Sequence, residues 1–172
     1  MEVILIRHAK AENRDPNTWP NDDLRPLTAE GRAEQRAAAR AMKKIGIKFD
    51  FLVTSPLLRA TETADIVAGA YRWPEPPQVA QELGHGYAVG AVVKLLAKFP
   101  PDACVALVGH EPDFSHLAGA LISGSGDVNI AFKKSGVMGI EFQGQAESSK
   151  GTLLFHLKPS HLRKVSATSG GS

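Results

Sequence analysis

The sequence predicts a three-layer α/β/α fold with a mostly parallel central sheet, and three observations predict it. Val3-Ile4-Leu5-Ile6 and Cys104-Val105-Ala106-Leu107-Val108 are apolar at successive positions, the mark of strands hidden on both faces. Segments with helical periodicity fall between the extended runs, so strands and helices alternate along the chain. Both apolar runs end abruptly in ionisable side chains, Arg7-His8 and Gly109-His110, and sheets of this kind place their ligands at the carboxyl ends of their strands.

The elements follow in order. After His8 comes a long polar segment, Lys10 to Arg25, holding Pro16, Pro20 and Asn21-Asp22-Asp23; loops of this length in compact domains cover active sites or move. Thr28 caps a helix with Ala33, Ala37, Ala38, Ala41, Met42 and Ile45 at helical spacing, closed by Gly46. Its outer face, with Arg32, Arg36 and Arg40, reads as solvated. Phe51-Leu52-Val53 is a short strand, and Ser55-Pro56 supplies an N-cap and first-turn proline for a helix from Leu57 to Ala70. Arg59 falls in its first turn, where a cation opposes the helix dipole; it either pairs with Glu62 or marks a functional position. Val79 lies in a brief extended piece. Gly84, Gly86 and Gly90 punctuate a loop before a helix from Ala91 to Phe99, with none of the spacing of a nucleotide fingerprint. Beyond His110, Pro112 opens a helix whose Phe114, Leu117, Ala118, Leu121 and Ile122 form a core face, flanked by His116 in a structural or surface role. Val137 to Phe142 and Thr152 to Leu157 read as an antiparallel pair, with His156 an ordinary strand residue.

Size and composition narrow the function. At 172 residues and 43% hydrophobic, the chain suits one domain, expected over residues 1–162, with a flexible Ser/Gly-rich tail at 163–172. A net charge of +2 without a long basic run or basic-aromatic interleaving gives no reason to expect nucleic acid as a partner. The first apolar run lacks a basic flank and is too short for a signal segment, and nowhere do roughly 18 apolar residues run together, so neither membrane association nor export is expected and the location read is cytoplasmic. The single cysteine, Cys104, fits a reducing compartment and lies in an apolar run as a packing residue.

Several chemistries fail on spacing. A zincin needs His-Glu-x-x-His on a helix, whereas His110-Glu111 is followed by Pro112 and then by His116. A cysteine phosphatase needs its thiolate in a phosphate loop, whereas Cys104 opens a buried strand. There is no Gly-x-Ser-x-Gly elbow and no Walker A sequence. What survives is His8, His110, Arg7 and Arg59. Two guanidiniums match the oxygens of a phosphoryl group. An imidazole can accept that group covalently, and neighbouring arginines keep His8 neutral for the task. Fixed positive charge stabilises a loose transition state, so neither metal nor other cofactor is expected.

Arg7-His8-Ala9 is similar to the Arg-His-Gly signature of the histidine phosphatase superfamily, the phosphoglycerate mutase-like proteins. Arg25-Pro26-Leu27-Thr28-Ala29-Glu30-Gly31, Thr54-Ser55-Pro56-Leu57-Leu58-Arg59-Ala60 and Val108-Gly109-His110-Glu111-Pro112 resemble the succession in SixA-type phosphohistidine phosphatases. Ala9 replaces the usual glycine, and Lys10 stands where many relatives carry an acid. The resemblance spans roughly residues 2 to 162. It implies a phosphoglycerate mutase-like fold, His8 as nucleophile, and Arg7, Arg59 and His110 as the phosphate pocket. Glu82, in Gln81-Glu82-Leu83, resembles the carboxylate that protonates the leaving group in larger members. The implied activity is a cytoplasmic, metal-independent phosphatase for phosphohistidine in a signalling protein, its partner a phosphorylated protein such as a histidine-phosphotransfer domain, its product a phosphate ion. A short chain without a large insertion suggests an open pocket. A phosphomonoesterase or mutase for small phosphorylated substrates on the same fold, and a catalytically silent phosphoprotein-binding module, stay open as alternatives.

Overall fold

A computed structural model describes residues 1–167. A six-stranded sheet has the order β3-β2-β4-β1-β5-β6, with β1 Glu2–Arg7, β2 Phe51–Thr54, β3 Gln78–Val79, β4 Cys104–Gly109, β5 Val137–Glu141 and β6 Thr152–Leu157. The pairs β1–β4, β2–β4 and β2–β3 are parallel, whereas β5 and β6 join as an antiparallel extension. The helices are α1 Ala29–Lys44, α2 Leu58–Tyr71, α3 Val89–Leu96, α4 Asp113–Ser123 and α5 Pro159–Ala167. This is the expected three-layer α/β/α fold with a mostly parallel central sheet. No helix among the described residues is long and apolar enough to cross a membrane.

The alternation of β1 explains its composition. Val3 and Leu5 point into a core shared with α3 and α4, including Leu95, Phe114 and Leu117. Ile4 and Ile6 point into the opposite core with α1, α2 and α5, including Ala38, Met42, Ala64 and Val67. Each such side chain contributes roughly 1.5–3 kcal/mol on burial, so an apolar run here has two faces to satisfy. The alanines of α1 let that helix sit close to the sheet.

Thr28 caps α1 as expected, its hydroxyl accepting from the Gly31 amide at 2.9 Å. Gly31 is required there, because a Cβ would lie 2.1 Å from the carbonyl oxygen of Lys10. The start of α2 differs from expectation. Its N-cap is Leu57, and no side chain caps it; the Ser55 hydroxyl is taken up by His110, as described below. Helix α3 begins and ends earlier than its apolar pattern suggests, at Val89 and Leu96. The expected boundary at residue 162 is also displaced. Leu162 is buried against the α1–α2 core and Arg163 pairs with Glu34, so the amphipathic α5 carries the fold on to Ala167. The remainder of the expected Ser/Gly-rich tail, 168–172, lies outside the described residues.

Strand β1 leads through α1 to β2, and β4 is inserted between the two, so the carboxyl ends of β1, β4 and β2 stand side by side. That switch point is the crevice in which open α/β sheets bind ligands.

Candidate active site

Three adjacent strand ends deliver His8, His110 and Ser55. The His8 amide donates to the carbonyl of Gly109 at 2.9 Å, and the Ser55 amide to that of Val108 at 3.0 Å. The chain leaves the sheet after Arg7, the turn needed for neighbouring residues to serve one ligand. The Ala9 amide then donates to Thr63 Oγ1 at 3.1 Å, and that hydroxyl donates to the Arg59 carbonyl at 2.7 Å. Thr63 therefore ties the His8 turn to the first turn of α2 and fixes Arg59 relative to His8.

His8 is held in one tautomer. Its Nδ1 lies 2.7 Å from the carbonyl oxygen of Ala9, an acceptor, so Nδ1 carries the hydrogen and Nε2 the lone pair. The His110 ring lies 5.1 Å from that of His8. Its Nε2 is 2.7 Å from Ser55 Oγ, while its Nδ1 is buried with no partner among the described residues. Gly109 allows this strand end to sit over α4, since a Cβ would lie 2.6 Å from the Phe114 ring. Buried polar atoms without partners are rare, and each calls for a functional account. Two further cases, Arg7 Nε and Ser135 Oγ, lie at the same strand end. The Ser135 amide bonds the carbonyls of Arg7 and His8 at 3.2 and 3.3 Å, and its φ of 58° is a left-handed conformation unusual for serine.

The two arginines are placed differently. Arg59 is 2% exposed. Its Nη1 donates to the Asp22 carbonyl at 2.9 Å, and its Nη2 lies 2.9 Å from His85 Nε2 and 3.3 Å from Asp22 Oδ2. Arg7 donates through Nη1 to the carbonyl of Phe132 and lines a cleft of about 540 Å³ with Lys133 and Lys134. Burial lowers the pKa of both guanidiniums. The same burial, reinforced by Arg59, Arg7 and Lys134, depresses His8 to about 3. Burial, then His8, Arg59, His85 and Arg7, depress His110 to about 2. Both rings are neutral near pH 7.

The structure thus brings His8, Arg7, Arg59 and His110 together, and it pairs Glu82 with Lys98. Glu82 sits in a 3₁₀ turn with its carboxylate 3.2 Å from Lys98 Nζ, and a hydrogen bond from its own backbone and that lysine lower its pKa. A carboxylate held ionised is a poor proton donor. His85, three residues on, faces the site in its place, its ring 5.2 Å from that of His110. Two other expectations are revised. Arg59 does not pair with Glu62, which pairs with Arg32 instead and accepts the Leu27 amide at 2.6 Å. The pocket is partly covered rather than fully open. Asn21 caps a 3₁₀ turn at Asp22–Leu24, and this turn straps across Arg59, Asp22 being anchored by Arg25 at 2.8 Å. The long 10–25 segment signals such a cover, whereas nothing in it marks Asp22 as the residue that meets Arg59. Ser55 lies within the Thr54-to-Ala60 motif but reads there as a helix cap, and nothing at His85 or Ser135 signals a place beside the site. Burial pushes the Cys104 thiol up to about 12, which keeps it protonated near pH 7.

Comparison with known proteins agrees with this geometry. Residues 3–85 match the model of the histidine phosphatase superfamily, branch 1. An uncharacterised protein of a Picosynechococcus species is 37% identical over 81% of this chain and 84% of its own length. The phosphohistidine phosphatase SixA of Escherichia coli is 27% identical over 97% of this chain and 99% of its own. A structure of the protein histidine phosphatase SixA complexed with tungstate superposes with a TM-score of 0.81 at 27% identity, covering 94% of this chain and 99% of that one. The chain belongs to the histidine phosphatase superfamily. It is a phosphatase of that class and resembles the SixA proteins within it.

Proposed function

We propose that this chain removes phosphoryl groups from phosphohistidine in a signalling protein of the cytoplasm, passing them through a covalent intermediate on His8. The observation that carries the reading is the fixed tautomer of a buried, neutral His8, whose Nε2 lone pair faces a site rich in guanidinium and imidazole donors. Nε2 attacks phosphorus, the new N–P bond forming as the substrate's own P–N bond breaks; the electron pair stays with the departing ring, which leaves as neutral imidazole because its other nitrogen already carries a proton. Arg7, Arg59 and His110 Nδ1–H meet the charge on the equatorial oxygens, so the scheme runs without a metal. Water then attacks phosphorus, the His8 N–P bond breaks, and phosphate leaves. Asp22 withdraws from Arg59 as the phosphoryl group enters, one anion replacing another on the same donor. Similarity to SixA along almost the whole chain supports phosphohistidine over other substrates.

The test is a rapid quench during turnover of a ³²P-phosphohistidine protein. Acid-labile, base-stable label is expected on His8, and His8→Ala is expected to lose both label and turnover. Hydrolysis that survives His8→Ala would overturn the reading.

A further inference from the structure

His8, His110 and His85 form a row of three imidazoles, with neighbouring ring centroids 5.1 and 5.2 Å apart. The first two are buried; the His85 side chain is 52% exposed, at the mouth of the site. No mechanism that needs only an imidazole leaving group uses this third ring. We propose that His85 is a proton donor on the leaving-group side, and that it equips the site to hydrolyse phosphate monoesters in addition to phosphoramidates. The proposal rests on His8 as nucleophile.

Three acidic neighbours are committed elsewhere. Glu82 is paired with Lys98, Asp22 with Arg25 and Arg59, and Glu111 accepts from the Ser115 amide and hydroxyl at 2.9 and 2.6 Å. The groups facing His85 come from several elements. Arg59 Nη2 on α2 is 2.9 Å from its Nε2, Asp22 Oδ2 and Asp23 Oδ1 on the strap are 4.0 and 3.9 Å away, and His110 lies at the end of β4. The Gly86 amide, next along the chain, donates to Asp113 Oδ2 at 3.2 Å and steadies this loop on α4. When a phosphoryl oxygen takes over the Arg59 N–H that Nε2 accepts, the freed Nε2 takes a proton from solvent at the mouth of the site. An alcohol, unlike imidazole, leaves slowly as an anion and needs that proton. As His8 Nε2 bonds phosphorus, the P–O bond breaks, its electron pair remains on the leaving oxygen, and the proton of His85 Nε2 neutralises it. In the second half-reaction neutral His85 takes a proton from the attacking water as the N–P bond returns its pair to His8.

The test compares kcat/KM for p-nitrophenyl phosphate, whose leaving group needs little assistance, with that for glycerol 2-phosphate. His85→Gln is expected to cost the alkyl ester at least ~30-fold more than the aryl ester, within the ~10²–10⁴ that general acids contribute. Equal losses on both esters overturn the proposal and make His85 a residue that orients Arg59. Native protein that turns over a phosphohistidine peptide but not glycerol 2-phosphate overturns it too and leaves the proposed function standing. Absence of label on His8 with every substrate removes both.

Discussion

Ser55 Oγ lies 2.7 Å from His110 Nε2 and 3.4 Å from the Leu57 amide. With the Leu57 amide on its oxygen and His110 Nε2 the acceptor within reach of its hydrogen, the Ser55 hydroxyl donates to Nε2, so Nδ1 becomes the protonated nitrogen of His110 and the donor left for a phosphoryl oxygen. Ser55→Ala removes this instruction. We expect kcat to fall about 10-fold with a smaller change in KM, since the donor matters most as charge develops on the oxygen. Nitrogen-15 NMR of the variant should show the Nε2–H tautomer of His110. A kcat within twofold of the native value counts against this assignment.

Asp22 and the substrate compete for one guanidinium. Asp22→Asn keeps the strap's shape and weakens the internal anion on Arg59, so tungstate should inhibit about fivefold more tightly. Arg59→Ala should lower turnover by about 100-fold or more, by analogy with the loss of one oxyanion donor. Inhibition constants and kcat on p-nitrophenyl phosphate measure both effects. Unchanged tungstate inhibition in Asp22→Asn removes the strap from the binding equilibrium.

The strands and their chemistry were legible because each carries a local signal. The unbroken apolar run of β1 reports burial on two faces, and the ionisable residues that end β1 and β4 report the edge at which they stop. The partners of those residues carry no such signal, because tertiary contact alone selects them. Ser55 has the ordinary pattern of a helix cap, and only the packing of β4 beside β2 turns its hydroxyl to His110. Glu62 sits at helical spacing from Arg59, yet Arg32 on α1 takes it and leaves Arg59 to a strap 37 residues away in sequence. Glu82 has the chain position of an acid, and nothing local signals that Lys98, 16 residues on and beyond α3, pairs with it. Leu162 and Val165 are too few apolar positions to announce a helix, and it is the exposed flank of α1 that makes α5 worth docking.

Glu82→Gln tests that last distinction on the acid. With its carboxylate on Lys98, Glu82 contributes no proton to the leaving group, so kcat/KM should change less than threefold on both a phosphohistidine peptide and p-nitrophenyl phosphate. A loss above 10-fold on either substrate would restore it to the machinery.

Acid should unfold this protein through its buried histidines. His8 and His110 are depressed in the folded state to about 3 and about 2, against about 6.5 in an unfolded chain. Between these values the unfolded chain binds more protons, so stability is complete above about pH 6.5 and declines as pH falls below it. Each ring contributes a slope of at most about 1.4 kcal/mol per pH unit. Burial of His156 acts in the same direction. Urea unfolding between pH 7 and 5 should show this slope, and His110→Gln should flatten it by one ring's share. Equal slopes in the native and variant proteins would mean that His110 is already solvated in the folded state.

If the substrate is a protein, the surface around Arg7 has to receive it. The cleft beside Arg7 is lined by Lys133, Lys134, Lys158 and Arg163, with Glu34 as its one acidic residue. At about 540 Å³ it exceeds the needs of a single phosphoryl group. Charge of one sign at a rim raises the rate of encounter with an acidic partner and is screened by salt. The double reversal Lys133→Glu with Lys158→Glu is therefore expected to lower kcat/KM for a phosphohistidine protein about 10-fold at 50 mM salt, and much less at 0.5 M, where the Debye length is about 4 Å. Hydrolysis of p-nitrophenyl phosphate, which carries no acidic surface, should fall by a smaller factor at every salt concentration. Equal losses on protein and aryl ester would place these lysines in the field of the phosphate site, and the same loss at both salt concentrations would make their effect one of packing rather than charge.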